Sequence, residues 1–245
     1  MLDGVVLDMI AARRQSGERR GDLLDLLLAA RDEGDGGGMT DEQLKDEALT
    51  LLTAGHETIG AALSWTWYLL GLHTDVQERL HAEVSGVLGG RAPTVEDLPR
   101  LPLTRAVFDE TLRLYPPAPG QPREALAEDE IGGYTIPRKA LVMVYQWVTH
   151  RRPDLWDEPE QFRPERFFPE NAAGRPKFAY YPFGGGPRVC IGNTFALMEG
   201  PLLLATMAQR YRLELVPGQV IEPDTTFTLR PKGAVRVRLH RRAGG

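Results

Sequence analysis

The stretch FGGGPRVCIG, Phe183 to Gly192, decides how this chain is read. Three consecutive glycines and a proline force an irregular loop, and the segment from about Ile191 to Arg210 predicts a long helix directly after it. Cys190 then stands at a helix N-terminus, where open amide N–H groups and the helix dipole favour an anionic sulfur available to a soft metal. The glycines let the backbone approach a flat cofactor. Two other readings apply to such a cysteine. On composition alone it is a small buried hydrophobe, and a helix-terminal thiolate can also serve as the nucleophile of a hydrolase or transferase. The nucleophile reading needs a base, and the histidine nearest in sequence, His150, has no acid motif beside it.

Toward the N-terminus, Thr40 with Gln43 forms a capping-box pattern that starts a helix of about 30 residues and about 45 Å. AGHET, Ala54 to Thr58, lies in its middle, and Glu57 is the only formally charged residue between Ala48 and Thr74. Absence of charge on every turn predicts burial, and a buried carboxylate needs a partner or a function. Ala54 and Gly55 leave room beside the backbone, and the Thr58 hydroxyl can reach a carbonyl one turn earlier and loosen the ladder. The uncharged run from Thr58 to Thr74 contains Gly60, Ser64 and His73. It is too short for the ~20 apolar residues of a membrane span and predicts a buried helix instead.

A third signal is ETLR, Glu110 to Arg113, on a helix predicted from Leu103 to Tyr115 and stopped by Pro116 and Pro117. The 100° step sets Glu110 on the side of Leu103, Val107 and Leu114, with Arg113 in pairing reach, which predicts a buried ion pair rather than a surface one. PERF follows as Pro164 to Phe167, and PREAL places Arg123 just after the proline stop.

Phe183, Gly186, Arg188, Cys190 and Gly192 occupy every fixed place of the pattern Phe-x-x-Gly-x-Arg-x-Cys-x-Gly. In this the chain resembles the cytochrome P-450 family, in order and nearly from end to end. The resemblance implies a mainly α fold with a minor β-sheet component, and a haem b cofactor with Cys190 as axial metal ligand. It further implies that Arg188 pairs with a haem propionate, that Phe183 shields the sulfur and that Arg123 is a second propionate arginine. Ala54 and Gly55 would belong to the oxygen-binding groove, Glu57 and Thr58 to an acid–alcohol proton relay, and Arg166 to a cluster with Glu110 and Arg113. The implied activity is that of a haem-thiolate monooxygenase. It would take dioxygen, a small organic substrate and electrons from a ferredoxin or flavin reductase. The same resemblance makes residues 1–245 a single domain, an incomplete catalytic domain lacking its N-terminal part. The alternative is a catalytically silent fragment that keeps the scaffold or acts as a binding partner.

The remaining features bound this reading. A formal charge of −5 over 245 residues points to neither nucleic acid nor an anionic membrane surface. One cysteine excludes an intrachain disulfide and leaves a free thiol, as expected in the reducing cytoplasm. The opening residues through Gln15 read as an amphipathic helix ending near Arg13 and Arg14, not as a signal peptide, and no membrane segment is expected. Further helices are predicted around Asp22–Arg31 and from Thr74, with Gln77 completing a second capping pattern, to about Leu88. A small sheet is expected from Arg123–Leu126, Tyr134–Ile136 and Ala140–Tyr145, then a meander from His150 to Pro187. The alternation in Val235–His240 predicts a half-exposed strand. Arg236, Arg238 and the five histidines carry no assigned role.

Overall fold

The computed structural model describes residues 2–34 and 36–242. Met1 and Asp35, which the sequence puts in the first helix and in a Gly-rich loop, lie outside them, as do residues 243–245. The chain divides into two compact units, one up to Glu57 and one from Thr58 onward.

The first unit holds α1 (Leu2–Ser16), α2 (Leu23–Ala29) and the first half of α3 (Asp41–Leu72). Asp22 caps α2, accepting the Asp25 N–H at 3.1 Å. Arg13 holds the two helices together by donating to both Asp22 oxygens, at 2.8 and 2.7 Å, and to Asp25. The capping box at α3 forms as read: Gln43 N–H donates to Thr40 Oγ1 at 3.2 Å and Thr40 N–H to Gln43 Oε1 at 2.9 Å. The predicted burial of AGHET does not follow. Leu52 is 54% exposed, Ala54, Gly55 and His56 are exposed, and Glu57 is half-buried. Burial of apolar residues is a one-way rule, so a charge-poor run of Leu, Thr, Ala and Gly can equally form an open face.

The second unit is built around α5 (Pro102–Leu114), in which every residue from Ala106 to Leu114 is buried. Pro102 opens it at the first helical turn, where no amide partner is lost. Glu83 of α4 (Thr74–Leu88) caps it from outside, accepting the N–H groups of Leu103 and Thr104 at 2.7 and 2.8 Å. Leu70, Leu80, Val84, Val107 and Leu204 belong to one core that joins α3, α4, α5 and α8 (Asn193–Arg210). Helices α5 and α8 approach so closely that a Cβ on Gly200 would lie 2.3 Å from the Phe108 ring. The expected capping box at Thr74 is absent. Gln77 is drawn inward instead, donating to the carbonyls of Leu70 and Leu213 and accepting the Leu213 N–H at 2.8 Å.

Glu110 and Arg113 are both fully buried and joined by a two-pronged contact at 2.7 and 2.8 Å. Arg166 reaches the same carboxylate at 3.4 Å from a short 3-10 turn, Pro164–Phe167. Trp65 of α3 is fully buried and stacks on Tyr115 with ring centroids 3.9 Å apart. Its indole N–H donates to the Leu229 carbonyl at 3.0 Å, and Leu229 N–H donates to Pro117 at 2.8 Å.

Among the described residues the β structure comprises four two-stranded antiparallel ladders and an isolated bridge between Arg31 and Gly38; the middle of the chain forms two of these ladders, not the single small sheet expected there. β1 (Gln121–Glu124) pairs with β4 (Leu141–Val144), enclosing the hairpin of β2 (Asp129–Ile131) and β3 (Tyr134–Ile136). After α8, β5 (Tyr211–Leu215) pairs with β8 (Val237–Arg241), and between them β6 (Pro223–Asp224) pairs with β7 (Arg230–Pro231). Two short helices, α6 (Gln146–Thr149) and α7 (Pro169–Ala172), punctuate the path to the cysteine loop. Among the described residues no helix is long and apolar enough to cross a membrane.

Candidate active site

The cysteine loop closes on itself. Cys190 N–H donates to the Phe183 carbonyl at 2.9 Å, Gly184 N–H to Tyr181 at 2.9 Å and Val189 N–H to Gly186 at 3.1 Å. Gly184 and Gly186 have φ of 75° and 70°, left-handed values that a side chain rarely adopts. Helix α8 begins with the Ala196 N–H to Gly192 carbonyl bond at 2.9 Å, slightly later than the sequence predicts. Phe183 is half-buried against Ile59, Ala62, Phe108 and Leu112. The thiol remains exposed, and the apolar residues around it are open as well: Val189, Ile191 at 90% and Phe195.

Two hooks fasten the loop to the core. Tyr180 donates its hydroxyl to Asp109 Oδ1 at 2.9 Å, and Asp109 also accepts from Arg105 at 2.7 Å. Burial raises the Asp109 pKa, with Arg105 opposing, and pushes the Tyr180 phenol up. Tyr181 donates its N–H to His150 Nε2 at 3.0 Å and its hydroxyl to Thr149 at 2.8 Å. Accepting at Nε2 assigns His150 the neutral tautomer with its proton on Nδ1, which has no hydrogen-bond partner among the described residues. Burial holds the imidazole pKa down to about 3.

This has a pH consequence of definite sign. The unfolded chain takes up a proton on His150 below about pH 6.5 while the folded chain does not until about pH 3, so the stabilising term present above 6.5 is lost progressively as pH falls between those values. Chemical denaturation at pH 7 and pH 5 should differ by about 2 kcal/mol more in the parent than in His150→Gln. Equal pH dependence in the two proteins would mean that His150 is not held neutral.

The structure brings Phe183, Gly186, Arg188, Cys190 and Gly192 into one loop and lays β1 alongside it: a Cβ on Gly184 would meet Gln121 Nε2 at 2.6 Å. Arg123, on that strand, is exposed and donates to Pro122 O at 2.7 Å and Gln121 Oε1 at 3.2 Å. Arg188 is exposed. Neither arginine has a carboxylate partner among the described residues, whereas Arg91, Arg105 and Arg163 each have one. Ala54, Gly55 and Glu57 sit on α3 in the first unit, and Thr58, half-buried, opens the second. A Cβ on Gly55 would meet nothing within 4 Å. Sequence reasoning missed Asp109, His150, Tyr180 and Tyr181. The only local signal was the tyrosine pair directly before the loop.

Residues 2–237 match the cytochrome P450 family, and the chain belongs to it. It is 45% identical over 210 residues to the cyclooctatin synthase of Streptomyces melanosporofaciens, across 86% of this chain and 46% of that protein. It is 43% identical to the cyclooctat-9-en-7-ol 5-monooxygenase of the same organism, across 89% of this chain and 47% of that one. The solved structure of a retinoic acid-bound cyanobacterial CYP120A1 superposes with a TM-score of 0.93 at 40% identity, covering 98% of this chain and 55% of the other. The chain spans about half the length of these relatives.

Proposed function

We propose that this chain carries the haem-thiolate centre of a monooxygenase. The carrying observation is the exposed thiol of Cys190, presented by a closed loop with apolar residues open around it. The residues fit a haem. Among the described residues a Cβ on Gly192 would meet only Cys190 Sγ within 4 Å, at 3.8 Å, and Arg123 and Arg188 have no carboxylate partner, which suits them to propionates. We read the chain as one incomplete P450 catalytic domain, its C-terminal part, with haem b as cofactor.

In this reading Cys190 would hold the haem iron through its thiolate, Phe183 would shield the sulfur, and Gly186 and Gly192 keep the loop thin. Ala54 and Gly55 leave space along α3, and Glu57 and Thr58 would hold and relay a proton. Haem held there would supply the activation of dioxygen, sulfur donation favouring O–O cleavage, for a reaction in which substrate, dioxygen, two electrons and two protons give the hydroxylated product and water. The names of the relatives support an apolar organic substrate. The electrons come from a ferredoxin or flavin reductase, and the free thiol favours a cytoplasmic setting. The exposure of Leu52 to His56 and of Ile191 and Phe195 supports a second reading, a scaffold that is silent unless further chain covers these residues.

Reduction under carbon monoxide separates the two. A red-shifted, thiolate-type Soret band supports the haem centre, and a colourless protein supports the scaffold. In a form that turns over, Thr58→Ala should keep the haem spectrum yet divert reduced oxygen to peroxide, by about tenfold or more for a lost proton relay. An unchanged ratio of product to peroxide would remove Thr58 from the relay.

A further inference from the structure

Away from the cysteine loop, the second unit contains a cavity of about 410 Å³ in the meander, with Trp156, Arg163, Arg166, Ala173 and Arg175 in its wall together with two carboxylates, Asp157 and Glu165. That volume lies within the ~300–1,000 Å³ of small-molecule sites. The charges around it are unevenly matched. Arg163 is satisfied by Asp157 at 3.1 Å and Glu158 at 2.9 Å, and Glu165 is engaged by Arg79 at 2.7 Å.

Arg166 and Arg175 are different. Arg166 must share the single Glu110 carboxylate with Arg113, and its own contact is the longer one, at 3.4 Å. That contact is made by its Nε, which has no hydrogen bond among the described residues, while its Nη2 donates to the Glu158 carbonyl at 2.8 Å; the indole Nε1 of Trp156 is likewise buried without a partner among them. Arg175 has no carboxylate partner among the described residues. Its guanidinium lies 4.5 Å from the centre of the Trp156 ring and 4.8 Å from that of Phe167, and donates to the Arg166 carbonyl. Ring faces and one carbonyl orient a guanidinium but do not neutralise it. Desolvation is the largest influence on both arginines and lowers the pKa of each, the mark of cations partly withdrawn from water without enough negative charge nearby.

We propose that this cavity binds a small oxyanion, a phosphate or carboxylate group, held by Arg175 and Arg166 beside the Trp156 ring. A guanidinium presents a fork of N–H donors matched to two oxygens of such a group. The site is independent of the haem reading, since none of its residues belongs to the cysteine loop.

Inorganic phosphate and acetate are the probes, titrated into the full chain at constant ionic strength with chloride making up the difference, so that general screening is not read as binding. Saturable binding of either below about 1 mM is expected, with a thermal midpoint raised by roughly 3–5 °C at ten times the dissociation constant. Arg175→Gln should weaken binding at least about tenfold, as expected for a lost charged hydrogen-bond partner. Arg138→Gln, at an exposed arginine that donates to Leu126 O, should bind as the parent does. If Arg175→Gln does not fold, Ala173→Asp decides, because a carboxylate at this exposed wall position must compete with the anion and weaken it at least about fivefold. No saturable binding by the parent, or parent-like binding by Arg175→Gln or by Ala173→Asp, overturns the proposal.

Discussion

Arg113→Ala is expected to destabilise the fold by about 3–5 kcal/mol, the cost of stripping one partner from a buried ion pair. The pair is sealed: neither side chain has any exposed surface. Arg113 also donates to the carbonyls of His150 at 2.8 Å, Pro159 at 2.7 Å and Gln161 at 3.1 Å, so one guanidinium ties α5 to three points of the meander. Alanine leaves the Glu110 carboxylate with the Arg163 N–H at 2.9 Å and the longer Arg166 contact. It also leaves those carbonyls without that donor, at about 1–3 kcal/mol for each one that stays buried and unpaired. For a chain of this size the thermal midpoint should fall by roughly 6–20 °C. Arg166→Ala should fall less, because its contact is longer. A midpoint for Arg113→Ala within error of the parent would show that the meander holds without the cluster.

Cys190→Ala should have the opposite profile, a severe effect on the cofactor and little on the fold. The thiol is exposed, and the loop bond at residue 190 is made by its backbone N–H to Phe183, which alanine retains. Stability should therefore stay within about 0.5 kcal/mol of the parent. The red-shifted band under carbon monoxide should vanish completely, because the chain has no second cysteine to replace the ligand. Persistence of that band would exclude Cys190 as the ligand, whatever the loop resembles. The two variants thus read two separable properties of neighbouring parts of the same unit.

What could be read from the residues was local. Thr40 and Gln43 cap α3 within one turn, and the prolines at 102, 116 and 117 bound α5 by removing amide donors at its ends. The burial of Glu110 followed from a helical step, and the cysteine loop from glycines whose conformations few other residues adopt. What could not be read depended on distant partners. Gln77 has the residue type and spacing of a cap, but Leu213, 136 residues away, takes its amide. His150 lacks metal-ligand spacing and its role appears only when Tyr181 is set against it, 31 residues on. The Val235–His240 alternation named a strand, yet Leu239 is 55% exposed: β8 is the outer strand of a two-stranded ladder that reaches the core through Leu213 of β5 and Val237. Along Leu52–His56, missing charge was read as burial, and the described chain leaves that face open.

The bond from Trp65 to Leu229 spans 164 residues, and it sets an order on how the molecule is made. A ribosome releases α3 well before the carbonyl that receives its indole N–H, which follows 164 residues later. Until then the tryptophan is part of a nascent chain whose largest buried ring lacks its hydrogen-bond acceptor, and such long-range closures are slow because loop entropy must be lost before the contact forms. The same contact makes Trp65 a built-in reporter of that closure, its fluorescence reaching the native value only after the chain has returned from Leu229 to the helix.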